Sequence, residues 1–461
     1  MTQFQWQPKR AGGGGDGLGK GPGRAATPAA TASGVIRSSD ALNELTYKLH
    51  QRLIEELDPA KLEGLEPEKA REAVETAARA LIAQEMPGIV GAIRDDLVSA
   101  VADEVLGLGP IENLVKDGSV SEIMVNAPDT VFFEREGRIY LSPIRFRDAN
   151  HIMRVVERII APLGRRVDES SPMVDARLTD GSRVNVITPP VAPKSPTITI
   201  RKFRQDKLTV EDLIATGTLT RELAEFLRAC IQVKLNTLIS GGTGTGKTTL
   251  LNALSAFIPD SERIVTIEDP TELKLQQGHV VSLEARPPSL EGKGEVTQRD
   301  LVRNALRMRP DRIIVGEVRG PEAFDMMQAM NTGHEGSLST VHANSARDCL
   351  ARVENMILMA GLDLPVRAIR EQISSAIHMV IQIARLSDGT RRIIHVSEIS
   401  GMEGQVVTMQ DLFRFEQRGI DSDGRVIGEF RPTGIRPRFA DKFEIAGIHL
   451  PSDLFMQMRV A

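Results

Sequence analysis

The stretch "NTLISGGTGTGKTTLLNAL", Asn236 to Leu254, decides how the chain is read. Thr237-Leu238-Ile239 closes a short apolar run suited to a buried strand. Gly241-Gly242-Thr243-Gly244-Thr245-Gly246-Lys247-Thr248 then meets G-x-x-x-x-G-K-[ST] at every fixed position. Leu250, Leu251 and Leu254 follow at helical spacing, so the order is strand, loop, helix, the setting in which this motif carries its mechanism. Glycines let successive backbone N–H groups curl inward toward phosphate oxygens, and the helix start adds partial positive charge. Residues Gly241 to Thr248, with Thr249, are therefore expected to cradle ATP. Lys247 reaches the β- and γ-phosphates in this reading, and the Thr248 hydroxyl ligates Mg²⁺. A glycine-rich linker is the competing reading, but a linker has no use for Lys-Thr ahead of a leucine-spaced helix.

Outward from this patch, composition narrows the class. A length of 461 residues leaves room for roughly three ordinary domains, and 41% hydrophobic residues supply their cores. The net charge of −5 and 4% aromatics argue against a dedicated nucleic-acid binder. Cys230 and Cys349 are too few for a disulfide scaffold or a four-cysteine zinc site, and they suit a reducing cytoplasm. No apolar stretch is long enough to span a bilayer, so a membrane role is expected through peripheral docking alone.

Residues 1–37 are rich in Gly, Ala, Pro and Ser and read as a disordered tail. Over 38–108, leucines at three- and four-residue intervals, with Pro67 and Pro87 as breaks, predict a helical bundle. From 109 to 203, short alternating runs broken by Pro-Gly, Asp-Gly and Glu-Gly predict an α+β domain with several hairpins. Residues 204–213 read as a linker. From 214 to 461, "LNTLIS", "RIVTIED", "RIIVGEV", "SLSTVHA" and "HMVIQIA" alternate with helices, the pattern of an α/β domain with a mostly parallel sheet. Later strands, "RIIHVSEIS" and "VVTMQDLFRF", predict an antiparallel extension of that sheet.

Charged groups at strand ends supply the chemistry. "RIVTIEDPTEL" presents Glu268 and Asp269 at the carboxyl end of a strand, where α/β sheets bind ligands. Glu268 is expected to position the attacking water, with Asp269 and Glu272 arranging metal or loop. "DRIIVGEVRG" offers Glu317 for Mg²⁺, beside a glycine that leaves space. The metal set is thus Thr248, Glu317 and Asp269, with the division of labour between Glu317 and Glu268 open. "TGHEGSLSTVHAN" places His334 and His342 eight residues apart. Without a third ligand nearby, phosphate sensing by a neutral imidazole, close to the γ-phosphate or to an inter-subunit carboxylate, is preferred over zinc, and a satisfied core histidine remains the alternative.

In this order the motifs resemble the Walker A, Asp box, Walker B and His box of the type II/type IV secretion superfamily of ATPases. The resemblance covers about 105–400 and extends to "GPIENLVKDGSVSEIMVN" and "ARLTDGSRVN". Within the superfamily the chain is most similar to CpaF-type ATPases, the motors of Tad pili. The four-cysteine module of type II secretion ATPases is missing, and the N-terminal extension is long for a type IV secretion ATPase. The resemblance implies a RecA-like C-terminal ATPase domain, a homohexamer at the cytoplasmic face of the inner membrane, and pilus platform proteins as partners. A type IV secretion ATPase and a RecA-like nucleic-acid translocase stand as alternatives. It also implies that arginines of the N-terminal domain complete the site, the candidates being Arg177, Arg183 and Arg201. A two-residue turn at Asp180-Gly181 would set Leu178 opposite Arg183 and put Arg177 on the other face of the hairpin.

Overall fold

Alternation of apolar and polar residues, legible through most of the middle of the chain, becomes two separate sheets. The computed structural model describes residues 44–53, 64–135, 137–203, 208–288, 292–451 and 454–456. The expected tail and the first part of the expected linker lie outside them. Helices over 44–53, Pro67–Glu85 and Ala92–Leu106 bury Leu49, Leu53, Val74, Leu81, Leu97 and Val101 against one another. The Asp103 carboxylate ties this layer together, accepting from Arg71 at 2.8 Å and Lys116 at 3.1 Å.

The first sheet is antiparallel throughout, with the order β3-β2-β1-β6-β5-β4. Its strands are β1 (Val120–Ala127), β2 (Thr130–Arg135), β3 (Arg138–Leu141), β4 (Met173–Arg177), β5 (Arg183–Ile187) and β6 (Thr197–Arg201). One face is apolar: Ile123, Val184, Val186, Ile198 and Ile200 pack beneath Ile152, Val155, Val156 and Ile159 of the helix Ala149–Ile160. The alternate residues of β4 to β6, most of them polar, point the other way.

The β4–β5 turn corrects the expected register. Leu178 N–H donates to Ser182 O at 2.9 Å, so Thr179-Asp180-Gly181 form a three-residue loop, with Gly181 at φ +90°. Asp180 accepts the Ser182 N–H at 2.9 Å and favours this longer turn. Arg177 therefore stands directly opposite Arg183, and Arg183 opposite Arg201. One residue of slip moves Arg177 to the face it was expected to avoid.

The second sheet has nine strands in the order β15-β14-β13-β12-β7-β11-β10-β8-β9. Strands β7 (Thr237–Gly241), β8 (Ile264–Glu268), β9 (Val280–Glu284), β10 (Arg312–Val318), β11 (Leu338–His342) and β12 (Met379–Arg385) run parallel. The order β12-β7-β11-β10-β8 is RecA-like and brings five carboxyl ends to one edge. Strands β13 (Arg391–Glu403), β14 (Val406–Ile420) and β15 (Val426–Pro432) form the antiparallel extension. β9, half-exposed at the edge, had too little apolar pattern to announce itself. Separate apolar clusters cover the two faces of the sheet. On one of them Phe226, fully buried, lies within 5.1 to 6.4 Å of the rings of Phe413, Phe439, Phe443 and Phe455.

Candidate active site

β7 is buried along its length, and the chain leaves it through the glycine-rich loop into the helix Lys247–Ser255. Gly244 and Gly246 sit at φ +69° and +93°, where side chains are strained, and they turn the loop into the helix. A Cβ on Gly241 would stand 2.5 Å from Ile383 O, so the loop is pressed against β12. Thr245 Oγ1 and Lys247 Nζ each donate to Gly242 O at 2.9 Å. On the outer side Arg391 Nε donates to Gly244 O at 2.9 Å. Thr243 is exposed on this loop, while Thr248 and Thr249 are half-buried at the helix start. Burial pushes the Lys247 ammonium below its ordinary range; Glu317 opposes this, and Arg201 and Arg319 add repulsion. A half-buried cation at the start of a helix suits the phosphates of a nucleotide.

The tips of β8 and β10 carry the two carboxylates. Glu268, 3% exposed, accepts the Glu272 and Leu273 N–H groups on Oε1, at 2.8 and 2.9 Å. Its Oε2 is buried without a hydrogen-bond partner among the described residues. Burial pushes this carboxyl up to about 7, despite the two N–H donors. Glu317 moves the other way: burial raises it, but the Arg319 guanidinium at 2.7 Å and then Lys247 hold it below the ordinary range. Opposite shifts in two acids of one pocket fit them for different work. Glu317 thus suits a cation, with Thr248 in the same pocket, and Glu268 suits water activation. The exposed Asp269 lines that pocket too.

Gly316 makes room for Glu268 on the neighbouring strand, and the space expected beside Glu317 is used there. A Cβ at this position would fall 2.8 Å from Glu268 Cγ and 3.1 Å from Oε1.

The two histidines separate. His342 pairs in register with Gly241 and lies at the glycine loop. Burial, then Lys247, pushes its imidazole down and keeps it neutral. His334 precedes β11, at the edge where Ser337 O receives the Thr237 N–H at 3.1 Å, the beginning of β7. Four strand steps, about 13 Å, separate that edge from the loop. Of the two histidines expected at the nucleotide, His342 alone lies at the loop within this chain, because parallel pairing of β11 with β7 sends them to opposite ends.

The arginine row of the first sheet faces this pocket. Arg183 Nη2 lies 2.5 Å from Glu272 Oε1, and Arg177 Nη1 lies 3.1 Å from Glu284 Oε2. Arg201 stands 3.7 Å from Glu122 on β1. Arg183 lines one pocket with Thr248, Glu268, Glu272, Gln298, Glu317 and Arg319.

A sequence model described as type II/IV secretion system protein matches residues 104–425. The chain belongs to that family. A conjugal transfer protein of Mycobacterium tuberculosis is 38% identical over 309 residues, 66% of this chain and 87% of the relative. The type IV secretion system protein VirB11 of Bartonella henselae is 32% identical over 336 residues, covering 64% and 92%. Among solved structures, the VirB11 ATPase of Brucella suis in complex with sulphate is 30% identical, covering 62% of this chain and 94% of its own, at a TM-score of 0.34.

Arg319 and Gln298, which line the pocket of this secretion-system protein, and Glu284, which pairs with Arg177 beside it, escaped the sequence reading. Arg319 lies two residues beyond Glu317, and that spacing put it in reach as a same-side neighbour. Gln298, its amide oriented to satisfy both neighbours, donates to Glu317 O at 3.1 Å and accepts the Asp269 N–H at 3.2 Å. Glu284 sits at the end of the unrecognised β9. Neither Gln298 nor Glu284 had a motif to mark it.

Gly316→Ala tests the close fit of β8 and β10. Displacing a reacting group by roughly an ångström costs about a hundredfold in rate. Turnover should fall on that scale, while a non-hydrolysable ATP analogue binds within about threefold of wild type, since the glycine loop is untouched. Steady-state kinetics and equilibrium titration check the two arms.

Proposed function

We propose that this chain is a Mg²⁺-dependent ATPase that works as a homohexameric motor of pilus assembly, of the Tad type. The observation that carries the reading is Arg183 of the antiparallel sheet standing in the pocket formed by Thr248, Glu268 and Glu317 of the parallel sheet. A site shared by two sheets turns a change in bound charge into a change in their relative position. In this reading the loop amides, Lys247 and Thr248 hold the triphosphate, and Thr249 follows at the helix start. Glu317, Thr248 and Asp269 would hold Mg²⁺, which would supply positive charge against that of the phosphates. Glu268 Oε2 receives the proton of the attacking water, and His342 lies beside the loop as a neutral donor. Arg183, Arg177 and Arg201 are the source of positive charge that leaves with the N-terminal sheet.

The expected setting is the cytoplasmic face of an inner membrane, docked on platform proteins. No helix among the described residues is long and apolar enough to cross a membrane. The division into bundle, N-terminal domain, linker and ATPase domain belongs to the same proposal. The relatives named for conjugal transfer and type IV secretion favour a second reading, the same motor at a type IV secretion apparatus.

Light scattering with and without a non-hydrolysable ATP analogue tests the ring. A particle of six chains that also turns over ATP is the expected result. A monomer under both conditions sinks the motor, and a ring without turnover leaves a nucleotide-binding scaffold. In cells, loss of pili on deletion separates the first reading from loss of secreted cargo.

A further inference from the structure

The pairing of Arg183 with Glu272 and of Arg177 with Glu284 goes further than a description of where the arginines sit. We propose that Glu272 and Glu284 are placeholders for the γ-phosphate: they hold the arginine row in the pocket until the nucleotide arrives, and take it back when phosphate leaves.

The geometry is that of an exchange. Glu272 Oε1 meets Arg183 at 2.5 Å, and both side chains are about one-third exposed. A carboxylate here offers the guanidinium the same kind of anionic oxygen a phosphate does. The loop bearing Glu272 is fixed, because Glu268 Oε1 accepts the N–H groups of Glu272 and Leu273 at 2.8 and 2.9 Å. Glu284 is built into the same loop: its Oε2 accepts the Thr271 N–H at 3.0 Å while meeting Arg177 at 3.1 Å. Arg177 Nη2 also donates to Thr271 O at 3.2 Å. The stretch from Glu268 to Leu273 is therefore one rigid unit that carries the water-activating group and holds the arginines. Arg177, Arg183 and Arg201 lie in one register row, so three like charges face the pocket and require anions in every state. Glu272 is a positioning residue here, acting through Arg183.

This inference rests on the reading of Arg183 as a γ-phosphate ligand, and the test separates the two. The full chain and its variants are titrated with a non-hydrolysable ATP analogue and with ADP, and the ratio of the two affinities is read. Glu272→Gln should raise the preference for the analogue about tenfold, with ADP binding unchanged within about twofold, because Arg183 no longer has to be surrendered. Glu284→Gln should act in the same direction and more weakly, as its pair is more exposed. Adding Arg183→Ala to Glu272→Gln should abolish the gain. If Arg183→Ala alone lowers the preference but Glu272→Gln does not raise it, the placeholder is refuted while the arginine reading stands. If Arg183→Ala leaves the preference unchanged, both fall. A gain that persists in the double variant also overturns the proposal.

Discussion

Glu268→Gln should all but stop ATP turnover and, at the same time, make the protein more stable above neutral pH. The rate loss follows from the position of Oε2, the one buried carboxylate oxygen at the site left for water. Losing a general base costs about a hundredfold to ten-thousandfold, and glutamine cannot accept the proton. The stability gain follows from the carboxyl being pushed up to about 7 by burial. Below about pH 4 the folded and unfolded chains both hold this proton, and no penalty exists. As pH climbs, the unfolded state releases it first, so stability falls until the folded group has titrated, near pH 7. Above that the penalty is constant, up to about 3 kcal/mol for a shift of this size. Glutamine keeps an acceptor for the Glu272 and Leu273 N–H groups and carries no charge. Denaturant melts at pH 4 and pH 8 should show the variant's advantage only at the higher value. Wild-type turnover should rise between about pH 6 and 8 as Glu268 ionises, a slope the variant's residual activity lacks. A variant that loses activity and stability together would refute the assignment.

Lys247→Ala should abolish turnover by at least about a thousandfold, the scale of losing one preorganised donor to the transferring phosphoryl group. The fold should survive. Among the described residues Lys247 donates only to Gly242 O, within its own loop, and its half-buried ammonium is held below its ordinary range. Removing a cation that burial disfavours relieves the apo protein, so the loss should be confined to nucleotide-dependent properties. Turnover, analogue binding and the melting midpoint, measured on one preparation, check this. A variant that hydrolyses ATP at the wild-type rate would remove the nucleotide site from the chain's function.

These two residues were legible because their neighbours in sequence are their neighbours in space. The glycine loop, its lysine and the acids at the tips of β8 and β10 each follow a fully buried strand that the apolar pattern exposes. What failed was geometry set across the chain. Arg177 was assigned to the wrong face because one extra turn residue, held by Asp180, changes the register, and turn length is not written in the Asp-Gly dipeptide. His334 was placed with His342 because spacing along a chain says nothing of which end of a strand each side chain occupies. Gln298 and Glu284 come from a helix start and an edge strand whose own residues show no pattern, and only the tertiary fold brings the first to the pocket and the second to Arg177. The aromatic contacts of Phe439, Phe443 and Phe455 with Phe226 join segments more than 200 positions apart, beyond the reach of periodicity.

That last contact bears on how the protein is cut. The match to the secretion family's model ends at residue 425, yet three of the rings that close over Phe226 come after it. A fragment trimmed at that border would leave the helix Arg221–Gln232 with a bare aromatic side, and its copies would stick to one another. The edge of a family match and the edge of burial are different frontiers on this chain, and it is the frontier of burial that a working fragment has to respect.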